Sequence, residues 1–179
     1  MNETVEKFLK DIQIDYCWLL YSHEYIDTRV CPDPEYAKYM RADFPFCCGV
    51  ASQIIASFLS AHFQKTTCYM TRNLRFNHSW CECQGTIIDY TYFQFNLSPE
   101  MRSKFKEYKV DRKEFEIFLE RIPVIQEPQD HMATCDWIQR YEIELQTVNK
   151  AKKYPFSKDG LLSYAEDVFD EIQLNTNYQ

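Results

Sequence analysis

The chain has 179 residues, 45% of them hydrophobic and 26% charged, with only three glycines. That suffices for one domain with a packed core, and it excludes disordered, collagen-like and low-complexity architectures. Twenty Lys and Arg against 27 Asp and Glu give a net charge of −7, which argues against a broad phosphate-binding surface and hence against nucleic acid as a partner.

In chain order, Val5, Phe8, Leu9, Ile12, Tyr16, Leu19 and Leu20 recur at helical spacing and predict a helix over residues 3–26. Three prolines (Pro32, Pro34, Pro45) make Asp27 to Pro45 a loop. Phe46 to Phe63 carries an apolar stripe of Val50, Ile54, Ile55, Phe58 and Leu59, the strongest helical pattern in the chain. Strands are expected at Thr66 to Met70, His78 to Cys83 and Thr86 to Tyr90, with Gln84-Gly85 as a tight hairpin turn between the last two. After Pro99 the helical pattern returns with Phe105, Tyr108, Phe115, Phe118 and Leu119, and Pro123 and Pro128 break it. Two further helices are expected over Ala133 to Lys150 and Lys158 to Leu174. The order is that of an α+β fold: a central helix packed on a small antiparallel sheet, with helical flanks over 1–44 and 99–179, in a single domain.

No stretch reaches the roughly 18 consecutive apolar residues of a membrane span. Met1 to Lys7 lacks the basic-then-apolar order of a secretory signal, so a cytoplasmic protein with no membrane partner is expected. Eight cysteines (17, 31, 47, 48, 68, 81, 83 and 135) would then be thiols in a reducing compartment. Their spacing lacks paired Cys-x-x-Cys signatures. Cys47, Cys81, Cys83 and His78 are the nearest approach to a zinc set, and most such cysteines are small buried hydrophobes. Three glycines leave no dinucleotide fingerprint, and no cofactor is expected.

The residues with chemical potential start at the central helix. Cys47-Cys48-Gly49 falls where its apolar stripe begins, and a thiol at a helix N-terminus meets unpaired amides and the positive end of the dipole, which favour thiolate. Cys48 is the preferred nucleophile over Cys47, and Gly49 would let a substrate backbone approach closely. A cysteine nucleophile needs a base and a group to orient that base. His78 lies on the next strand, sharing a face with Trp80 and Glu82, and Asp89 lies on the partner strand of the hairpin. Strands about 4.8 Å apart bring an imidazole and a carboxylate within bonding reach. Trp80 would either wall the site or be a core indole. His62, at the end of the central helix, reads as a cation favoured by the dipole. The run Tyr90, Tyr92, Phe93 and Phe95 would line a groove or form the inner face of the sheet.

Cys48-Gly49-Val50-Ala51-Ser52, His78-Ser79-Trp80-Cys81-Glu82 and Gly85-Thr86-Ile87-Ile88-Asp89-Tyr90-Thr91, in that order, resemble the transglutaminase-like superfamily of papain-like cysteine enzymes. Its small bacterial members carry a helix-borne Cys, a His-x-Trp-x-Glu strand and an Asp-x-Thr strand. The resemblance covers about residues 45–95. It implies Cys48 as nucleophile, His78 as general base and acid, and Asp89 as the orienting carboxylate. The activity implied is cysteine-dependent amide hydrolysis or acyl transfer on a peptide or protein substrate, with Cys47, Gly49 and Trp80 near the substrate. The Cys47-Cys48 doublet leaves the nucleophile open by one residue. The acyl acceptor, water or an amine, is also open, and a non-catalytic binding or adaptor protein on the same fold is the alternative function.

Overall fold

The computed structural model describes residues 1–22, 47–63, 68–107 and 109–176. Residues 23–46, which hold the end of the expected first helix and the proline-rich loop, lie outside the described residues, as do Thr66 and Thr67. The first helical stretch is two helices, α1 (Glu3–Asp11) and α2 (Gln13–Ser22), joined at Ile12. Asn2 caps α1 by accepting from the Thr4 amide at 2.8 Å. The central helix, α3 (Cys48–His62), follows at the expected place and buries Ala51, Ile54, Ile55, Phe58 and Leu59.

Next come β1 (Cys68–Asn73), β2 (His78–Cys83) and β3 (Thr86–Ile88). The expected third strand stops two residues early. Beyond Ile88 the Asp89 amide bonds Val124 O at 2.8 Å, and Asp89 Oδ1 accepts from the Thr91 amide at 2.9 Å, so the chain bends away from the ladder. A 3-10 turn (Tyr92–Asn96) leads to α4 (Pro99–Lys106) and α5 (Arg112–Leu119). Ser98 and Asp111 cap these two helices through the Met101 and Glu114 amides.

A short β4 (Ile125–Gln126) then joins the sheet edge beside β3. The helix expected over Ala133 to Lys150 is not one element. It divides into a 3-10 turn (Met132–Thr134), a strand β5 (Ile138–Glu142) and α6 (Leu145–Ala151). The open edge of β1 captures β5 in antiparallel pairing from Tyr69↔Glu142 to Asn73↔Ile138, and that ladder overrides the weak helical pattern. The last helix, α7, spans Lys158–Thr176 as expected.

The fold is α+β, with a five-stranded antiparallel sheet ordered β4-β3-β2-β1-β5. Helix α3 lies across β1 and β2. The main core joins α1, α2, α3, α5 and α7 to one face of the sheet through Leu9, Leu20, Ile55, Phe58, Cys81, Phe115 and Leu161. Trp80, Ile87 and Met132 form a smaller cluster elsewhere on the sheet. His62 packs its ring on Phe58 at 4.5 Å, and burial lowers its pKa, so it is not the dipole-favoured cation that its helix-end position suggested. Among the described residues no helix is long and apolar enough to cross a membrane.

Candidate active site

Three buried bonds tie the helical layer together and dock it against the end of the hairpin. Tyr16 OH donates to Ala51 O of α3 at 2.9 Å, Tyr90 OH donates to Leu9 O of α1 at 2.8 Å, and Cys17 Sγ donates to Tyr90 O at 3.6 Å. The rings of Tyr16 and Tyr90 meet edge-on at 5.0 Å. This frame fixes where the residue before Tyr90, Asp89, stands relative to the first turn of α3.

Hairpin register does the rest. Gln84 (φ 53) and Gly85 (φ 76) form a two-residue turn with both central residues left-handed, and Cys83 pairs Thr86, Glu82 pairs Ile87 and Cys81 pairs Ile88. Carried past the ladder, that register sets Asp89 one diagonal step from His78. His78 Nε2–H donates to Asp89 Oδ2 at 2.6 Å, with both side chains 1% exposed.

Asp89 is bonded on every side. Oδ1 accepts from the Thr91 amide and from Thr91 Oγ1 at 3.1 Å, and Oδ2 accepts a second bond from His131 Nε2 at 3.0 Å. Burial pushes its pKa up, but the His78 charge and the bonds from His131 and His78 outweigh burial and hold the carboxyl well below its usual range. For His78, burial opposes the charge, and the Asp89 carboxylate overcomes it and raises the imidazole to about 9.

Cys48 is the first residue of α3 and half-buried. Its thiol donates a long bond to Asn77 O at 4.0 Å, from a residue held at φ 51. Burial raises the thiol pKa; the adjoining His78 ring, through hydrogen bonding and charge, and the Ser79 amide reverse this and lower it. Cys47 turns the other way. It is partly buried, packs against the core and raises the pKa of Tyr16 and Cys17, and of the doublet it is Cys48 that adjoins His78. A side chain added at Gly49 would meet no described residue within 4 Å, so among the described residues the ground beside Cys48 is open. The helix–sheet junction beneath leaves little room: the cavity lined by Cys48, Ser52, Trp80, Asp89 and Thr91 holds about 10 Å³.

Trp80 is 0% exposed and has no face for a substrate. Its Nε1 donates to Glu82 Oε1 at 3.2 Å, and its ring meets His131 edge-on at 4.7 Å. It is a core indole that backs the site. Glu82 pairs with Arg140 of β5 at 2.5 Å. The aromatic run divides: Tyr90 and Phe93 are core, while Phe95 is 43% exposed with its ring edge-on to His78 at 4.9 Å. Tyr92 packs on His131 at 4.5 Å and lines a cavity of about 640 Å³ with Phe93, Met101, Phe118 and Ile122.

Two site residues have no counterpart in the sequence reading. Gln94 Nε2 lies 2.8 Å from His78 Nδ1, and His131 meets Asp89 across 42 positions of chain. No short motif flags either. Gln94 sits inside an aromatic run, and His131 lies between two 3-10 turns, Pro128–Asp130 and Met132–Thr134.

The zinc set Cys47, Cys81, Cys83 and His78 is not assembled. Cys81 and Cys83 side with Cys68, and Cys47 with Tyr16. Among the described residues the one group with clustered metal-ligand atoms is His78, Asp89 and His131, within 4.8 Å of one another. Both Nε2 atoms address a single carboxylate oxygen at 2.6 and 3.0 Å, the separations of proton-bearing hydrogen bonds. Ala133 N–H donates to His131 Nδ1 at 3.1 Å, which places the His131 proton on Nε2, pointing at Asp89. The trio is a hydrogen-bond chain. No family model, curated protein or solved structure matches this chain.

Proposed function

We propose that the protein is a cysteine-dependent amide hydrolase or acyltransferase acting on a peptide or protein substrate, with Cys48 as nucleophile, His78 as general base and acid, and Asp89 as its orienting carboxylate. The observation that carries this reading is the buried 2.6 Å bond from His78 Nε2 to Asp89 Oδ2, set beside a helix-start thiol whose pKa that same histidine lowers.

With Nε2 committed to Asp89, Nδ1 is the nitrogen left to take the thiol proton, and the Gln94 amide must yield it. Proton transfer from Cys48 Sγ to Nδ1 gives a thiolate–imidazolium pair stabilised by ionised Asp89. The thiolate attacks the amide carbon, and the electron pair of the C=O bond moves to oxygen as an oxyanion. The first-turn amides of α3, which have no intrahelical acceptor and begin at Cys48 itself, are the donors offered to that charge. When the oxyanion collapses, the C–N bond breaks and Nδ1–H protonates the departing amine. The thioester on Cys48 is then resolved by water or a second amine, which gives up a proton to Nδ1. The space that the described residues leave at Gly49 gives the acyl group an approach.

The test is thiol labelling. With iodoacetamide at about pH 7, peptide mapping is expected to find Cys48 modified at least about tenfold faster than an ordinary thiol, and His78→Ala is expected to abolish the advantage. Cys17, Cys68 and Cys83, all with pKa values pushed up, are expected to stay protected. Even, slow modification of several cysteines would overturn the catalytic reading in favour of a binding protein.

A further inference from the structure

His131 is a buried polar side chain with one ring nitrogen held by its own turn and the other pointed at the site. Its side chain is 0% exposed. The Ala133 amide fixes its tautomer, the Tyr92 ring packs on it at 4.5 Å, and the Trp80 ring meets it edge-on. The turn that carries it is tied down where Tyr92 OH donates to Asp130 O at 2.9 Å. Its Nε2–H reaches Asp89 Oδ2, the same oxygen that holds His78.

We propose that His131 is a positioning residue for the Cys48–His78 pair: its Nε2–H fixes the shared Asp89 oxygen and, by sharing it, limits how tightly Asp89 holds the His78 imidazolium. This rests on the catalytic reading above. An oxygen that already accepts one charge-assisted bond has less electron density to give a second donor, so two histidines on one oxygen each receive a weaker grip than one would. The same donation keeps Asp89 ionised within a buried setting. Removing the His131 donor therefore has a direction: His78 alone commands Oδ2 and keeps its proton to higher pH.

Among the described residues, the titratable groups facing this chain are Cys48 of α3, Cys17 of α2, and Tyr92, Asp130 and Cys135 of the turns; Glu82, paired with Arg140, lies behind Trp80. All stay unchanged in the test. The rate of Cys48 alkylation by iodoacetamide in the full chain is followed from about pH 5 to 10, where a thiolate next to an imidazolium gives one limb and loss of the imidazolium proton a second. His131→Phe keeps a ring and loses the donor. Its second limb is expected to move up by about one pH unit, the scale of one hydrogen bond. His131→Gln, whose Nε2 reaches the place of the imidazole Nε2, is expected to restore the wild-type limb.

A folded His131→Phe variant with the wild-type profile would overturn the proposal and leave His131 as core filling, as would a Gln variant that fails to restore the limb. Should His131→Phe not fold, His131→Asn, too short to reach Asp89, takes its place with the same expected shift. Absence of fast Cys48 labelling in the wild type would instead remove the catalytic reading itself.

Discussion

The amide nitrogen of Gln94 lies 2.8 Å from His78 Nδ1 and 3.1 Å from Thr91 O. Thr91 O can only accept, so the amino group must face it; turning the amide would set Oε1 against that carbonyl. The backbone is held as well, with Gln94 N donating to Thr91 O and Arg102 Nη2 donating to Gln94 O at 3.2 Å. Gln94 therefore stabilises neutral His78 and competes with Cys48 for the one free imidazole lone pair. Gln94→Leu keeps much of the volume and removes the competitor. Alkylation of Cys48 at about pH 7 is expected to rise roughly threefold to tenfold, the worth of one hydrogen bond, in initial-rate measurements with peptide-level readout. A rate at or below wild type would show that Nδ1 is uncontested. The neighbouring rings hide this residue in the sequence: Tyr92, Phe93 and Phe95 surround Gln94 and carry the pattern. Only the 3-10 turn over Tyr92–Asn96 aims it inward.

The β2–β3 hairpin shows which elements declare themselves. Six residues of β2 and three of β3 are tied by Gln84-Gly85, and the turn type alone sets which pairs face each other. A one-residue slip would throw His78 and Asp89 onto opposite faces. Gly85→Ala puts a Cβ into a backbone at φ +76, where no described residue lies within 4 Å but the conformation is unfavourable, at a cost of about 1 kcal/mol. The expected result is a melting temperature lower by about 2–4 °C for a chain of this size. Faster labelling of Cys83, the last residue of β2, is expected alongside it; an unchanged midpoint would mean that the turn carries no register information. β5 is the contrasting case. Ile138 to Glu142 is largely exposed and takes its pairing from the free edge of β1, a partner more than sixty positions away that no local pattern announces.

At the scale of the whole chain, legibility followed contact range. His78 and Asp89 are 11 positions apart in one hairpin, and their meeting could be worked out from strand geometry. Cys48 needed the packing of α3 across β1 and β2, which the order of motifs supplied and no spacing could. His131 arrives from the far side of α4, α5 and β4 and completes the charge arrangement unannounced. That arrangement ties stability to pH. The folded protein binds the His78 proton more tightly than the unfolded chain, with the pKa raised from 6.5 to about 9. Its contribution is therefore complete below the unfolded value and is lost as pH rises through the folded one. Asp89, shifted downward from 3.8, contributes above that value and loses its part only in stronger acid. Cys48, lowered from 9.0, adds stability as pH rises from its folded value to its unfolded one, and so offsets the His78 loss across the same neutral-to-alkaline range. Replacing Cys48 with Ser removes the offsetting thiol and isolates the His78 proton between about pH 6.5 and 8.5. The melting temperature of Cys48→Ser is expected to fall by about 2–5 °C across that window, and adding His78→Gln is expected to flatten the decline. Equal slopes in the two proteins, read by circular dichroism at matched ionic strength, would place the titrating proton elsewhere and sever the link between the buried imidazole–carboxylate bond and the fold.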